Sequence, residues 1–301
     1  MKPQIGFLLA PAVAFFLQFF AGNFPVAFFA FPLNLLLAVC WLALLYILYK
    51  EKRDCLLMRR LLSLKTTAGV LAVFMAGCLV IGLFPQLPLY ESSRRTGWMA
   101  RMGFYHFTTA WPFVLAWWGL LSHLALIILR GWEKRSRNKG RFLLIHAGLW
   151  LALFCGFAGS SDTQQLSIPV FRAEPSRMAY TDNREVRHVD YDLQLADFRE
   201  VLYPDGKPQH FSADVWVDGR RITLEVNKPY EVRFGEDLYL NSYDVRKGSQ
   251  TDYCVLRIVY QPWKYGLLAG ILMLLAGSLW FFVRGPGKVR YAPSEDGNKP
   301  T

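Results

Sequence analysis

Arg141–Asp162 reads RFLLIHAGLWLALFCGFAGSSD, an apolar run entered from a basic cluster and closed by polar residues. Its length suits the hydrocarbon core of a bilayer, which takes about 20 residues of helix. His146 lies about one turn inside it, and an imidazole there needs a partner, because an unsatisfied polar atom in hydrocarbon costs several kcal/mol. That single run therefore poses both the fold question and the site question.

The surrounding chain answers the first. Of 301 residues, 53% are hydrophobic and 16% aromatic, a composition too apolar for an ordinary soluble domain. The apolar residues fall in blocks that predict six membrane spans: Ile5 to Ala21, Val26 to Tyr49, Thr67 to Phe84, Thr109 to Leu129, Phe142 to Gly159 and Tyr265 to Val283. The formal charge of +11 sits mostly at the block edges, so it reads as topology and excludes nucleic acid as the first interpretation.

YKEKRDCLLMRRLLSLK, RGWEKRSRNKGR and RGPGKVRY are the basic connections, and they are expected on the cytoplasmic side. The domain reading follows. Residues 1–159 form a membrane domain with five transmembrane helices, 160–263 an extracytoplasmic β-rich domain, 264–284 the final helix and 285–301 a cytoplasmic tail. The fold class is an α-helical integral membrane protein with one β-rich domain inserted before the last helix. ESSRRTGWMARM sits awkwardly in this scheme, because it puts three arginines on the outer side. An alternative makes the first span a signal peptide, though no convincing small-residue cleavage site follows it.

Within 160–263 the apolar period shortens to that of strands. SADVWVDGRRITLEV alternates on both sides of Asp218-Gly219, a dipeptide suited to the positive backbone angles of a tight hairpin, and YPDGKP predicts another turn. His188 and His210 lie beside turns or charged segments with no metal-ligand spacing, and no nucleophile or carboxylate pair marks a hydrolase. Cys254 is the only one of five cysteines expected outside, so no disulfide framework is predicted there. The chain has no C-x-x-C.

Three membrane histidines compete for a role, of which His106, at the outer end of the fourth span, is read as interfacial. His123 is seven residues from Arg130 and His146 five from Arg141, which puts both roughly 7 to 11 Å inside the cytoplasmic boundary. On the fifth span Gly148, Ala152, Gly156 and Ser160 recur as a small-residue strip for close packing, while His146, Leu149, Trp150 and Leu153 occupy another face. That face suits a flat apolar iron-bearing ligand such as haem, and it equally suits a plain hydrogen bond between helices.

Several phrases, in order, carry a resemblance. SLKTTAGVLAVFMAGCLVIG, FYHFTTAWPFVLAWWGLL, FLLIHAGLWLALFCGFAGSSD, FREVLYPDGKPQHFSADVWV, VNKPYEVRFGEDLYLNSYD and YCVLRIVYQPWKYGLLAGILMLLAG resemble the ResB (CcsB) family, one component of the system II cytochrome c synthase, over Leu64 to Val283. The resemblance implies a bacterial inner-membrane, multi-pass protein that carries haem b across the membrane and supports its attachment to apocytochrome c. It would be a non-catalytic or co-catalytic half, working with a tryptophan-rich ResC/CcsA-like membrane protein and with a thioredoxin-like thiol reductant as a further partner.

By the same resemblance His146 would be a haem axial ligand, with Trp150 and Leu149 as pocket wall and no catalytic residue in this chain. Trp117-Trp118 is present, but no W-G-x-x-W-x-W-D-like run lies on an outer loop, so the second ligand is expected from the partner. The stretch LFPQLPLYESSRR departs from the acidic-aromatic pattern common in the family. Two other readings remain: a b-type haem electron carrier using His123 and His146 together as iron ligands, and a non-haem membrane anchor or sensor.

Overall fold

The computed structural model describes residues 3–133, 138–182 and 184–285, with side chains from position 12 onward except at 89 and 90. The tail assigned to 285–301 lies outside the described residues beyond Gly285, as do 134–137 of the second basic connection. The helices are α1 (Pro3–Ala21), α2 (Leu33–Lys52), α3 (Leu56–Leu61), α4 (Leu64–Leu83), α5 (Leu89–Ser93), α6 (Trp98–Arg101), α7 (Trp111–Glu133), α8 (Lys139–Asp162) and α9 (Lys264–Arg284). Between α8 and α9 come β1 (Gln164–Phe171), β2 (Ser176–Thr181), β3 (Val186–Leu202), β4 (Pro208–Val217), β5 (Arg220–Glu225), β6 (Tyr230–Arg233), β7 (Glu236–Tyr243) and β8 (Tyr253–Tyr260).

Among the described residues five helices are long and apolar enough to cross a membrane: α2, α4, the run ending in α7, α8 and α9. The span expected from Val26 does not start there. Val26–Phe29 is a short 3-10 turn, and α2 begins after Pro32, because a proline supplies no backbone N–H and disfavours helix at the residue before it. α7 is the hub of the bundle, with Leu120, Leu121, His123, Leu124, Ala125 and Leu126 all buried. At its C-terminal end Glu133 pairs with Lys50 at 2.5 Å and accepts from the Tyr49 hydroxyl at 3.0 Å, which pins α2 to α7. By contrast, Leu79 and Leu83 of α4 and Leu275 and Phe282 of α9 are exposed, as lipid-facing residues are.

The small-residue strip differs from the sequence expectation. A Cβ on Gly270 would lie 2.6 Å from the Ala152 backbone nitrogen and 2.8 Å from the Gly148 carbonyl oxygen, so α8 and α9 touch backbone to backbone. Lower on the same seam Cys155 Sγ fills the space beside Gly266, and Gly159 abuts Trp263. Gly156 has nothing within 4 Å and, like Ser160, is exposed. The reason is helical pitch: a strict four-residue repeat drifts about 40° per step at 3.6 residues per turn. Steps of four, three and four, through Gly148, Ala152, Cys155 and Gly159, stay on one face.

The eight strands form one antiparallel sheet in the order β5-β4-β3-β2-β1-β8-β7-β6. β1 leaves α8 and β8 leads to α9, and the two strands pair without interruption from Gln164↔Tyr260 to Phe171↔Tyr253. The sheet is thus tethered through adjacent strands to adjacent helices. Its core holds Tyr191, Phe198, Ile168, Leu193, Leu224, Leu238 and Leu256, drawn from strands on both sides of that tether. Asp218 (φ 45°) and Gly219 (φ 77°) form the β4–β5 hairpin turn, as the dipeptide predicts, and Asp218 Oδ1 also accepts the Asp192 N–H at 2.8 Å.

Candidate functional site

His146 is half-buried on α8, one turn from Phe142. Its Nδ1 lies 2.8 Å from the Phe142 carbonyl oxygen, and because a carbonyl only accepts, Nδ1 must carry the proton. The Nε2 lone pair then has no hydrogen-bond donor among the described residues. The imidazole also stacks on the Phe142 ring, with centroids 3.9 Å apart and planes 26° from parallel. Phe142 is itself wedged against α7, since a Cβ on Gly131 would fall 2.1 Å from its Cε1. One ring nitrogen is therefore held, the ring plane is set, and the other nitrogen is open.

His123 is used differently. It is buried, and its Nε2 meets the Thr67 hydroxyl at 3.0 Å, joining α7 to α4. No hydrogen bond links it to His146. Trp150 turns into the bundle, where its indole N–H donates to the Leu121 carbonyl at 3.1 Å and its ring stacks on Phe154 at 5.1 Å. Leu149 points outward and is 37% exposed. Trp150 is thus anchored in the α7–α8 contact, and Leu149 lies on the open side of α8 with Gly156 and Ser160.

Sequence reasoning missed Phe142 and Gly131. The first had a signal in its i, i+4 spacing to His146; the second had none, because its small size matters only once α8 is packed on α7. It also missed Asp162 at the other end of α8. That carboxylate is 9% exposed and accepts from the Phe31 N–H at 2.8 Å, Asn34 Nδ2 at 2.8 Å and Trp263 Nε1 at 2.6 Å. It joins the start of α2, the end of α8 and the residue before α9 at the base of the sheet.

In the sheet, Cys254 is fully buried in β8, and burial pushes its thiol up to about 12. A neutral thiol in a dry core is a poor nucleophile. His188 and His210 are exposed, the latter 3.9 Å from Glu225.

Apolar helices of membrane-crossing length, joined to a large antiparallel sheet placed before the last helix, define a membrane protein with a β-rich domain. Residues 133–256 match the family model described as the ResB-like family, from the last residue of α7 through α8 and into β8. That segment is ResB-like, and it is narrower than the resemblance read over Leu64 to Val283. No curated protein matches the chain. A solved structure described as "Cytochrome c Heme Lyase CcmF" is similar at 14% identity and a TM-score of 0.36, over 72% of this chain and 34% of its own, so the chain spans about a third of that protein.

Proposed function

We propose that this chain is the ResB-like half of a system II cytochrome c synthase, which carries haem across the bacterial inner membrane and supports its attachment to apocytochrome c. His146 is the ligand to the iron, through Nε2. The observation that carries this reading is the state of that nitrogen: Nδ1 is committed to the Phe142 carbonyl, Nε2 is free, and the ring is held by stacking. A neutral imidazole oriented through its other nitrogen is the usual arrangement of a metal-ligating histidine. The donor set therefore suits haem, whose iron would take the lone pair in the low-dielectric edge of the bundle.

The second ligand belongs to the partner, a tryptophan-rich ResC/CcsA-like protein. Support comes from His123, which is engaged by Thr67, and from the open side of α8, where Leu149, Gly156 and Ser160 are exposed. Small exposed residues on an apolar helix allow a second helix to approach closely. In this reading Trp150 braces the site from within the bundle, and Leu149 lies at the seam with the partner. The tagged chain, co-purified with that partner, should show a haem absorption band that requires His146. A complex that holds haem equally well without His146 overturns the assignment.

The topology in this proposal has α1 as a sixth span, the basic connections inside and the sheet outside. A cysteine replacing Asp205, in the exposed turn before β4, should react with a membrane-impermeant maleimide in intact spheroplasts. Native Cys254 should stay unlabelled until the protein is unfolded, because it is fully buried. Protection of position 205 in spheroplasts and labelling only after lysis would invert the model.

A further inference from the structure

At the end of the bundle that bears the sheet, α1 stops at Ala21 and α7 starts at Trp111, and between them lies a cleft of about 320 Å³. Gln18, Phe19, Asn23, Arg101, Tyr105 and His106 contribute to its wall, and among the described residues no aspartate or glutamate does. We infer that this cleft binds the phosphodiester headgroup of an acidic phospholipid.

The floor is built and saturated. Gln18 is 1% exposed; its Nε2 donates to Asn23 Oδ1 at 2.7 Å and to the Arg101 carbonyl at 3.1 Å, and its Oε1 accepts the Trp111 N–H at 3.0 Å. These bonds hold the chain of Arg101 against the end of α1. The Arg101 guanidinium then lies 5.5 Å from the centroid of the Phe19 ring and makes no ion pair or hydrogen bond among the described residues. Arg95 is placed likewise, 5.8 Å from the Tyr105 ring and without an anion among the described residues. Two arginines held over aromatic rings beside a cleft without carboxylates are cations lacking a counter-charge.

The surroundings select a lipid over a free anion. Phe16 and Phe20 of α1 are 62% and 70% exposed beside Phe19, and Trp98 near the cleft is 65% exposed. These rings offer an apolar bed below the headgroup and an interfacial indole at its level, as membrane boundaries do. A guanidinium matches phosphate oxygens through paired N–H donors and loses less than an ammonium on leaving water. The cleft also accounts for Arg95 and Arg101 of ESSRRTGWMARM, which run against the charge bias of the other connections. The charge of Arg95 and Arg101 is met by lipid phosphate rather than by a carboxylate among the described residues.

The test uses the full chain in a zwitterionic detergent, with lipid retention read by native mass spectrometry. Wild-type protein should retain phosphatidylglycerol over phosphatidylcholine by about ten-fold, and Arg101→Gln should bring the two within about two-fold. Arg101→Lys should recover part of the preference, since a point charge still attracts phosphate. Should Arg101→Gln fail to fold, the wild-type headgroup series decides alone, and equal retention of the two lipids sinks the inference. It is likewise overturned if folded Arg101→Gln keeps the full preference, or if millimolar inorganic phosphate displaces the lipid, which would make the cleft a free-phosphate site.

Discussion

His146→Gly should lower c-type cytochrome assembly by at least about ten-fold, the smaller end of what is lost when even a supporting partner of a metal ligand is removed. Glycine deletes the imidazole and leaves a space of its shape. Added imidazole should therefore refill the site and restore part of both haem content and assembly, a response that a purely structural role for His146 would not produce. His123→Ala is the control, because its bond to Thr67 joins two helices of this chain. It should cost stability by about 1 kcal/mol, a typical net value for one hydrogen bond, and leave most of the assembly intact. Equal loss from both substitutions would instead favour an intrachain histidine pair. Normal haem and assembly in His146→Gly would remove the ligand role altogether and leave the stacked, hydrogen-bonded ring as a feature of packing.

What the sequence made legible follows the range of the forces involved. Apolar blocks long enough to cross a bilayer are local, and α4, α8 and α9 appear within a few residues of their expected ends. The Asp218-Gly219 turn was also local, because only certain residues tolerate two successive positive backbone angles. The start of α2 was displaced although Pro32 was in view, since hydropathy alone runs through a proline that the backbone cannot. The packing strip of α8 was read with a period of four, and it needed the actual pitch and the glycines of α9 to be placed. In the site, the position of His146 was visible, whereas the tautomer that frees Nε2 depends on the Phe142 carbonyl, which any residue at 142 would supply. The stacking partner and the fit against Gly131 depend on which helix α8 meets. Trp150 shows the limit of face-reading on a single helix: its spacing placed it beside His146, but the Leu121 carbonyl draws its indole into the α7 contact.

Asp162 was the least legible residue of consequence, and its replacement should produce the largest loss of stability. It is the last residue of α8, yet it is buried and gathers three donors from two other parts of the chain. Asp162→Ala removes the acceptor and leaves the Phe31 N–H, the Asn34 amide and the Trp263 indole N–H without it. Each stranded buried donor costs about 1–3 kcal/mol, and breaking a buried charged network typically costs 3–5 kcal/mol in all, with about 4 kcal/mol expected here. Asp162→Asn should fall between wild type and alanine, because the amide keeps one acceptor oxygen but turns its NH₂ toward a donor. Trp263→Phe should be milder, at about 1 kcal/mol, because it removes one donor and leaves the carboxylate two others. The order Ala, Asn, then Trp263→Phe can be read from thermal unfolding of the purified chain in detergent. Damage should also show as proteolysis at Thr163 and Gln261, where the sheet joins the helices, before the sheet itself opens. An Asp162→Ala protein with the wild-type midpoint would mean that water reaches this carboxylate and already satisfies its donors.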